Sequence, residues 1–146
     1  MAPFGIILVT GKGWPDINTR QFLHRLSTDL PHLNFVALVD GDPYGIEIFL
    51  GYKYGSLKMA YWPEPLALPK LQWIGVFPSE FPKLQDSLKD LSQRDKKRVE
   101  ALLKRPYMTE DVENELRIMQ ASGKKAEIED LECPGHYLWD VKLSLL

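Results

Sequence analysis

The chain has 146 residues, 45% of them hydrophobic and 26% charged, with one cysteine and a formal net charge of −2. That length allows one domain with a real core, and no apolar stretch reaches the roughly 18–20 residues that span a bilayer, which excludes an integral membrane protein. The mild negative charge argues against coating nucleic acid by electrostatics alone, and a lone Cys133 excludes an internal disulfide and fits a reducing compartment such as cytosol or nucleus. Met1-Ala2-Pro3-Phe4 lacks the basic start of a secretory signal, and His24, His32, His136 and Cys133 have no paired zinc-ligand spacing.

The first predicted element is a buried strand over residues 5–10, Gly-Ile-Ile-Leu-Val-Thr, ending in Gly11-Lys12-Gly13. Glycines after a strand permit a tight turn or close approach of phosphate to backbone amides, but the phosphate-loop spacing is absent. Asn18 or Thr19 is the predicted cap of a helix running to about Leu30, with Phe22, Leu23, Leu26 and Leu30 as its apolar stripe. Arg20 falls in its first turn, where the helix dipole disfavours a cation, which points to an anionic partner or to nothing beyond a solvated helix start.

A second buried strand is predicted over residues 33–39, followed by a helix from Pro43 to Tyr54 with Ile46, Phe49, Leu50 and Tyr54 facing inward and Gly55 as its C-terminal cap. Between them stand Asp40 and Asp42, two carboxylates on one side of an extended chain at the carboxyl end of a strand, where open α/β sheets bind ligands. Such a pair repels itself unless a cation lies between, and Mg²⁺ is held by one or two carboxylates, waters and phosphate oxygens. Asp42 before Pro43 is equally a good helix start, so the spacing alone leaves a metal site and structural punctuation both open. Glu47, one turn further on, is placed to support that pair but reads rather as a surface helix position.

Next come a short segment at 57–61, a loop spaced by Pro63, Pro65 and Pro69, and a strand over 71–77. Strands alternating with helices over short connections predict a βαβ assembly around a mainly parallel sheet. The remainder reads as helical. Ser92 with Asp95 forms a capping box ahead of Val99, Leu102 and Leu103, Pro106 stops that helix, and Thr109 caps the next, with Val112, Leu116, Ile118 and Met119 on its buried side. Gly123 interrupts before Ala126, Ile128 and Leu131 resume. The basic run Arg94 to Arg98, with Lys104-Arg105 and Lys124-Lys125, reads as solvated helix faces, and Trp14, Trp62, Trp73 and Trp139 as packing.

Taken together, Thr10-Gly11-Lys12-Gly13, Pro15-Asp16, Asn18-Thr19-Arg20, Val39-Asp40-Gly41-Asp42-Pro43-Tyr44-Gly45-Ile46-Glu47-Ile48, Tyr52-Lys53-Tyr54-Gly55-Ser56, Leu103-Lys104-Arg105-Pro106-Tyr107 and Lys125-Ala126-Glu127 keep their order over nearly the whole chain. The set resembles the A subunit of topoisomerase VI and the related meiotic DNA double-strand-break transesterase, and its Tyr-Lys-Tyr-Gly-Ser and Lys-Arg-Pro-Tyr pieces look closer to the meiotic branch. Gly41, where that branch often looks like alanine, is a small departure.

The resemblance implies an α/β, Rossmann-like toprim domain with a helical C-terminal extension over residues 1–146. It also implies Mg²⁺ bound by Asp40 and Asp42 together with a glutamate on an earlier strand. That glutamate matches nothing here; the strand that carries it, and the winged-helix domain with the tyrosine that attacks DNA, are expected outside this chain, so none of its six tyrosines takes that role. The implied reaction joins a tyrosine to the 5′ end of double-stranded DNA. It needs two A-type subunits and a topoisomerase VI B-like partner, and it acts in the nucleus, with no membrane. Lys12 and Arg20 are the candidate DNA contacts. Two rival readings are a non-catalytic toprim-like module for dimerisation or partner docking, and a nucleotide-binding domain using Gly11-Lys12-Gly13.

Overall fold

The computed structural model describes residues 5–14, 16–55, 66–106 and 108–143. The predicted segment at 57–61, the loop prolines Pro63 and Pro65, Trp62, and the motif residues Pro15, Ser56 and Tyr107 lie outside the described residues.

α1 (Ile17–Asp29) begins where Asp16 takes an extended conformation and its Oδ1 accepts from the Thr19 amide at 2.7 Å. The cap thus precedes the predicted Asn18 or Thr19, because a carboxylate also places negative charge at the positive end of the helix dipole. Residues 5–10, predicted as a buried strand, are irregular, and Leu8 is 80% exposed. Neither of the two sheets includes them, and a strand buries its side chains only against a neighbour. For the same reason the apolar stripe of α1 stays half covered, with Phe22 50% exposed.

β1 (Val36–Leu38) pairs in parallel with β2 (Gln72–Gly75), matching Val36 to Gln72, Ala37 to Trp73 and, after an irregularity, Leu38 to Gly75. α2 (Pro43–Tyr54) connects them and starts at Asp42 with Pro43 in its first turn. Gly55, at φ 89°, closes it in a conformation that favours glycine. Ile46, Phe49 and Leu50 are buried, whereas Tyr54, predicted inward, is exposed. Trp73 stacks on Phe49 at 5.6 Å and meets Phe77 edge-on at 4.8 Å, which ties β2 to α2. Burying one such large apolar side chain contributes roughly 1.5–3 kcal/mol.

The chain beyond residue 80 is not wholly helical. β3 (Leu88–Asp90) runs antiparallel to β4 (Lys124–Ala126), pairing Leu88 with Ala126, Lys89 with Lys125 and Asp90 with Lys124. Lys124-Lys125 is therefore a strand, held by ion pairs from Lys124 to Asp90 and from Lys89 to Glu127 and Asp130. Between these strands lie α3 (Gln93–Leu103), opened by the predicted Ser92–Asp95 capping box, and α4 (Glu110–Ser122). Thr109 holds the cap position of α4 without a side-chain bond; Glu110, Asp111 and Glu113 supply its first turn with negative charge instead. Gly123 ends it at φ 65°. Val99 and Leu102 of α3 pack with Leu116 and Met119 of α4 against Ile46, Val76 and Ala126, while Ile118 is exposed. The result is an α/β fold whose parallel and antiparallel pairs meet at one bridge, Gly41 to Ala126. No helix among the described residues is long and apolar enough to cross a membrane.

Candidate metal centre

The two aspartates leave β1 on a turn that other segments hold on every side. Val39 donates to the Gly75 carbonyl at 2.9 Å and accepts from Val76 at 2.7 Å, so pairing continues to the residue before Asp40. Gly41 exchanges both backbone hydrogen bonds with Ala126, at 2.7 and 3.0 Å. The Ile128 amide donates to Asp40 Oδ1 at 2.7 Å, and the Gly45 amide to Asp42 Oδ1 at 2.6 Å. Each carboxylate is thus fixed by one oxygen, and among the described residues the other oxygen has no hydrogen bond. Gly45 has to be glycine, because a Cβ there would overlap the Asp40 carbonyl. The first turn of α2 packs directly on the backbone of the residue it helps to present.

Asp42 is only 8% exposed. Burial pushes its carboxyl up to about 6; Asp40 and Asp95 push the same way, while the Gly45 amide and Lys125 pull against them. Asp95, buried at the start of α3, accepts from the Ser92 amide at 2.9 Å and from Lys125 Nζ at 2.8 Å. Burial raises its pKa, but these bonds outweigh that and hold it below the usual carboxylate range. Lys125 is pushed up by its bond to Asp95, with further contributions from Asp42 and Glu127. Lys125 therefore compensates Asp95 first and Asp42 only in part. Two anchored hard-oxygen donors whose charge is only partly offset fit Mg²⁺, which completes its shell with water and phosphate. Among the described residues no group of three or more His, Cys, Asp or Glu side chains could hold a metal, so these two are the donor set on view.

The other predicted site residues fare differently. Lys12 is exposed on a turn at φ 53°, its amide donating to Thr10 Oγ1 at 3.2 Å. Trp14, two residues on, lays its ring against Gly51 of α2 and fastens that turn to the fold. Arg20 is 1% exposed and is neither a solvated helix start nor a displayed contact; it points into the protein beneath Gly55, its pKa lowered by burial against the opposing influence of Tyr52. Glu47, expected on the surface, is 8% exposed and pairs with Arg98 and, at 2.6 Å, with Arg105. A single carboxylate inside the apolar run Gly45 to Leu50 was the available sign that Glu47 needed a partner. Nothing local marked Lys125 or Asp95 as neighbours of the pair, since they meet only through β4.

A family model for the TOP6A-Spo11 Toprim domain, that of the topoisomerase 6 A subunit/Spo11, matches residues 1–142. Among curated relatives, the meiotic recombination protein SPO11 of Mus musculus is 44% identical over 130 residues, covering 86% of this chain and 33% of that protein. SPO11-1 of Arabidopsis thaliana is 44% identical over 131 residues, 86% of this chain and 36% of that protein, and W68 of Drosophila melanogaster 44% over 125, 86% and 38%. The chain thus spans about a third of the length of the curated relatives it matches. On the family match, on these identities and on the α/β fold, the chain belongs to the TOP6A-Spo11 Toprim-domain family.

Proposed function

We propose that this chain is the Mg²⁺-binding toprim part of a DNA-cleaving transesterase that makes double-strand breaks in meiotic recombination. The carrying observation is the Asp40–Asp42 pair, clamped by Ala126 and Ile128, in which burial outweighs the influence of Lys125 on Asp42. Bound Mg²⁺ would supply charge neutralisation at the phosphodiester and its reacting oxygens. The protein's part is to hold both carboxylates rigid before DNA arrives, so that no reorganisation is needed at the reaction, and to offer Lys12 as a phosphate contact. The names of the relatives, meiotic recombination proteins, support the meiotic setting; the same reading takes double-stranded DNA as substrate in the nucleus and two A-type subunits with a topoisomerase VI B-like subunit as the assembly.

The attacking tyrosine is assigned outside this chain. Tyr137 donates to Glu80, and its hydroxyl is pushed up by burial and by that carboxylate; Tyr52 is pushed up by burial as well. Both changes make a worse nucleophile. Supercoiled DNA incubated with this chain and Mg²⁺ is therefore expected to show no nicking and no covalent protein–DNA adduct on a denaturing gel.

The first test is calorimetric titration of Mg²⁺ into the chain beside an Asp40→Asn/Asp42→Asn variant. Saturable binding lost in the variant is the expected outcome; no binding in either removes the metal from this reading. The exposed apolar run Ile6 to Val9, together with Phe22, favours a second reading, a non-catalytic dimerisation or docking module. That reading predicts a concentration-dependent mass by light scattering with no Mg²⁺ uptake.

A further inference from the structure

Between α2 and α3 lies a cavity of about 340 Å³ whose wall includes Glu47, Arg94, Lys97, Arg98 and Arg105. Arg94, Lys97 and Arg98 stand three and four residues apart, hence on one face of α3, and Arg105 follows the end of that helix. One carboxylate against four cations leaves three positive charges around a single hollow, on a chain whose formal net charge is −2. Such a concentration repels itself unless an anion shares it.

The cavity wall is also built. Buried Glu47 holds Arg98 and Arg105 from below, and the Arg98 guanidinium lies 4.4 Å over the Tyr44 ring. Arg94 and Lys97 remain exposed at the rim. Guanidinium forks held in place, with an exposed ammonium beside them, match the several oxygens of a phosphate. Glu47 lies five residues along α2 from Asp42, about 7.5 Å of helix axis, so one extended polyanion can reach both the cavity and the metal pair.

We propose that this cavity binds a backbone phosphate of duplex DNA, separately from the Asp40–Asp42 centre. The assignment rests on the reading of the chain as a DNA-handling domain. The test is fluorescence anisotropy of a labelled duplex of about 20 base pairs with the whole chain, without Mg²⁺, across a salt series. Arg94→Gln/Lys97→Gln is compared with wild type and with Arg25→Gln/Lys70→Gln, which removes the same charge elsewhere on the surface. All four side chains are exposed, so both variants keep the fold. The rim variant is expected to bind roughly tenfold more weakly at low salt, with the slope of log affinity against log salt reduced by about 0.9, the share of one phosphate, while the control follows wild type.

Equal affinity in all three proteins overturns the cavity assignment and leaves the metal centre untouched, as does an equal loss in both variants. Absence of duplex binding by wild type overturns the DNA reading with it. If inorganic pyrophosphate raises the melting temperature of wild type but not of the rim variant while duplex affinity is equal, the cavity takes a small free anion and the proposal fails.

Discussion

Asp42 caps α2, and the proposed metal site gives it a second job that pulls its chemistry in the opposite direction. As a helix cap it needs only an acceptor oxygen; as half of a cation site it must stay ionised in a buried place. Its pKa near 6 lies above the unfolded value, so its contribution to stability is present below about pH 4 and lost as pH rises through 6. Asparagine caps nearly as well and carries no charge. Asp42→Asn is therefore expected to gain on the order of 2–3 kcal/mol over wild type at pH 7 without metal, and nothing at pH 4, in urea melts across that range. Saturating Mg²⁺ should close the difference from the wild-type side. Gly45 sets the opposite kind of limit. Gly45→Ala forces a methyl group onto the Asp40 backbone and is expected to cost about 1–3 kcal/mol and to remove the Mg²⁺-dependent rise in melting temperature. Glu47→Gln, which leaves two partly exposed guanidinium groups without their carboxylate, is expected to cost about 1–2 kcal/mol in the same melts.

β4 is only three residues long, yet it touches the site three times: Ala126 brackets Gly41, Lys125 reaches Asp95, and the chain just beyond donates to Asp40 from Ile128. Ala126→Pro removes the amide that Gly41 accepts from and is expected to destabilise by about 2–4 kcal/mol while abolishing Mg²⁺ uptake in calorimetry. The sequence carried α2 and α3 openly, because Asp42-Pro43 and Ser92 with Asp95 are local capping signals and Ile46, Phe49, Val99 and Leu102 recur at helical spacing. It also carried β1, β2 and the place of Asp40 and Asp42 at the end of β1, since a continuous apolar run ending in Asp-Gly-Asp needs no distant partner to be read. β3 and β4 were illegible for a physical reason. Lys124-Lys125 and Leu88-Lys89 have no apolar alternation, and their pairing is held by cross-strand ion pairs that exist only once both strands are side by side. Residues 5–10 erred the other way: an apolar run announces a strand, but the partner that would make it one is not written in the run.

At the scale of the molecule, the α/β fold sets a carboxylate pair at the start of α2 and a cluster of cations from α3 and the residues after it against the same helix further along. Asp42 caps the start of α2, and Glu47 further along gathers the cations of α3. The net charge of the chain conceals this separation, and composition argues only against coating nucleic acid by electrostatics alone. The bond from Ile128 to Asp40 spans 88 positions of sequence. During synthesis the aspartate pair leaves the ribosome first and waits for its clamp, on the order of 4–18 s at ordinary elongation rates. For that interval the nascent chain displays two unheld carboxylates and no finished pocket. Under the proposed function, competence to take up metal is thereby coupled to completion of the C-terminal half, so a stalled or truncated chain carries both aspartates without the clamp that holds them.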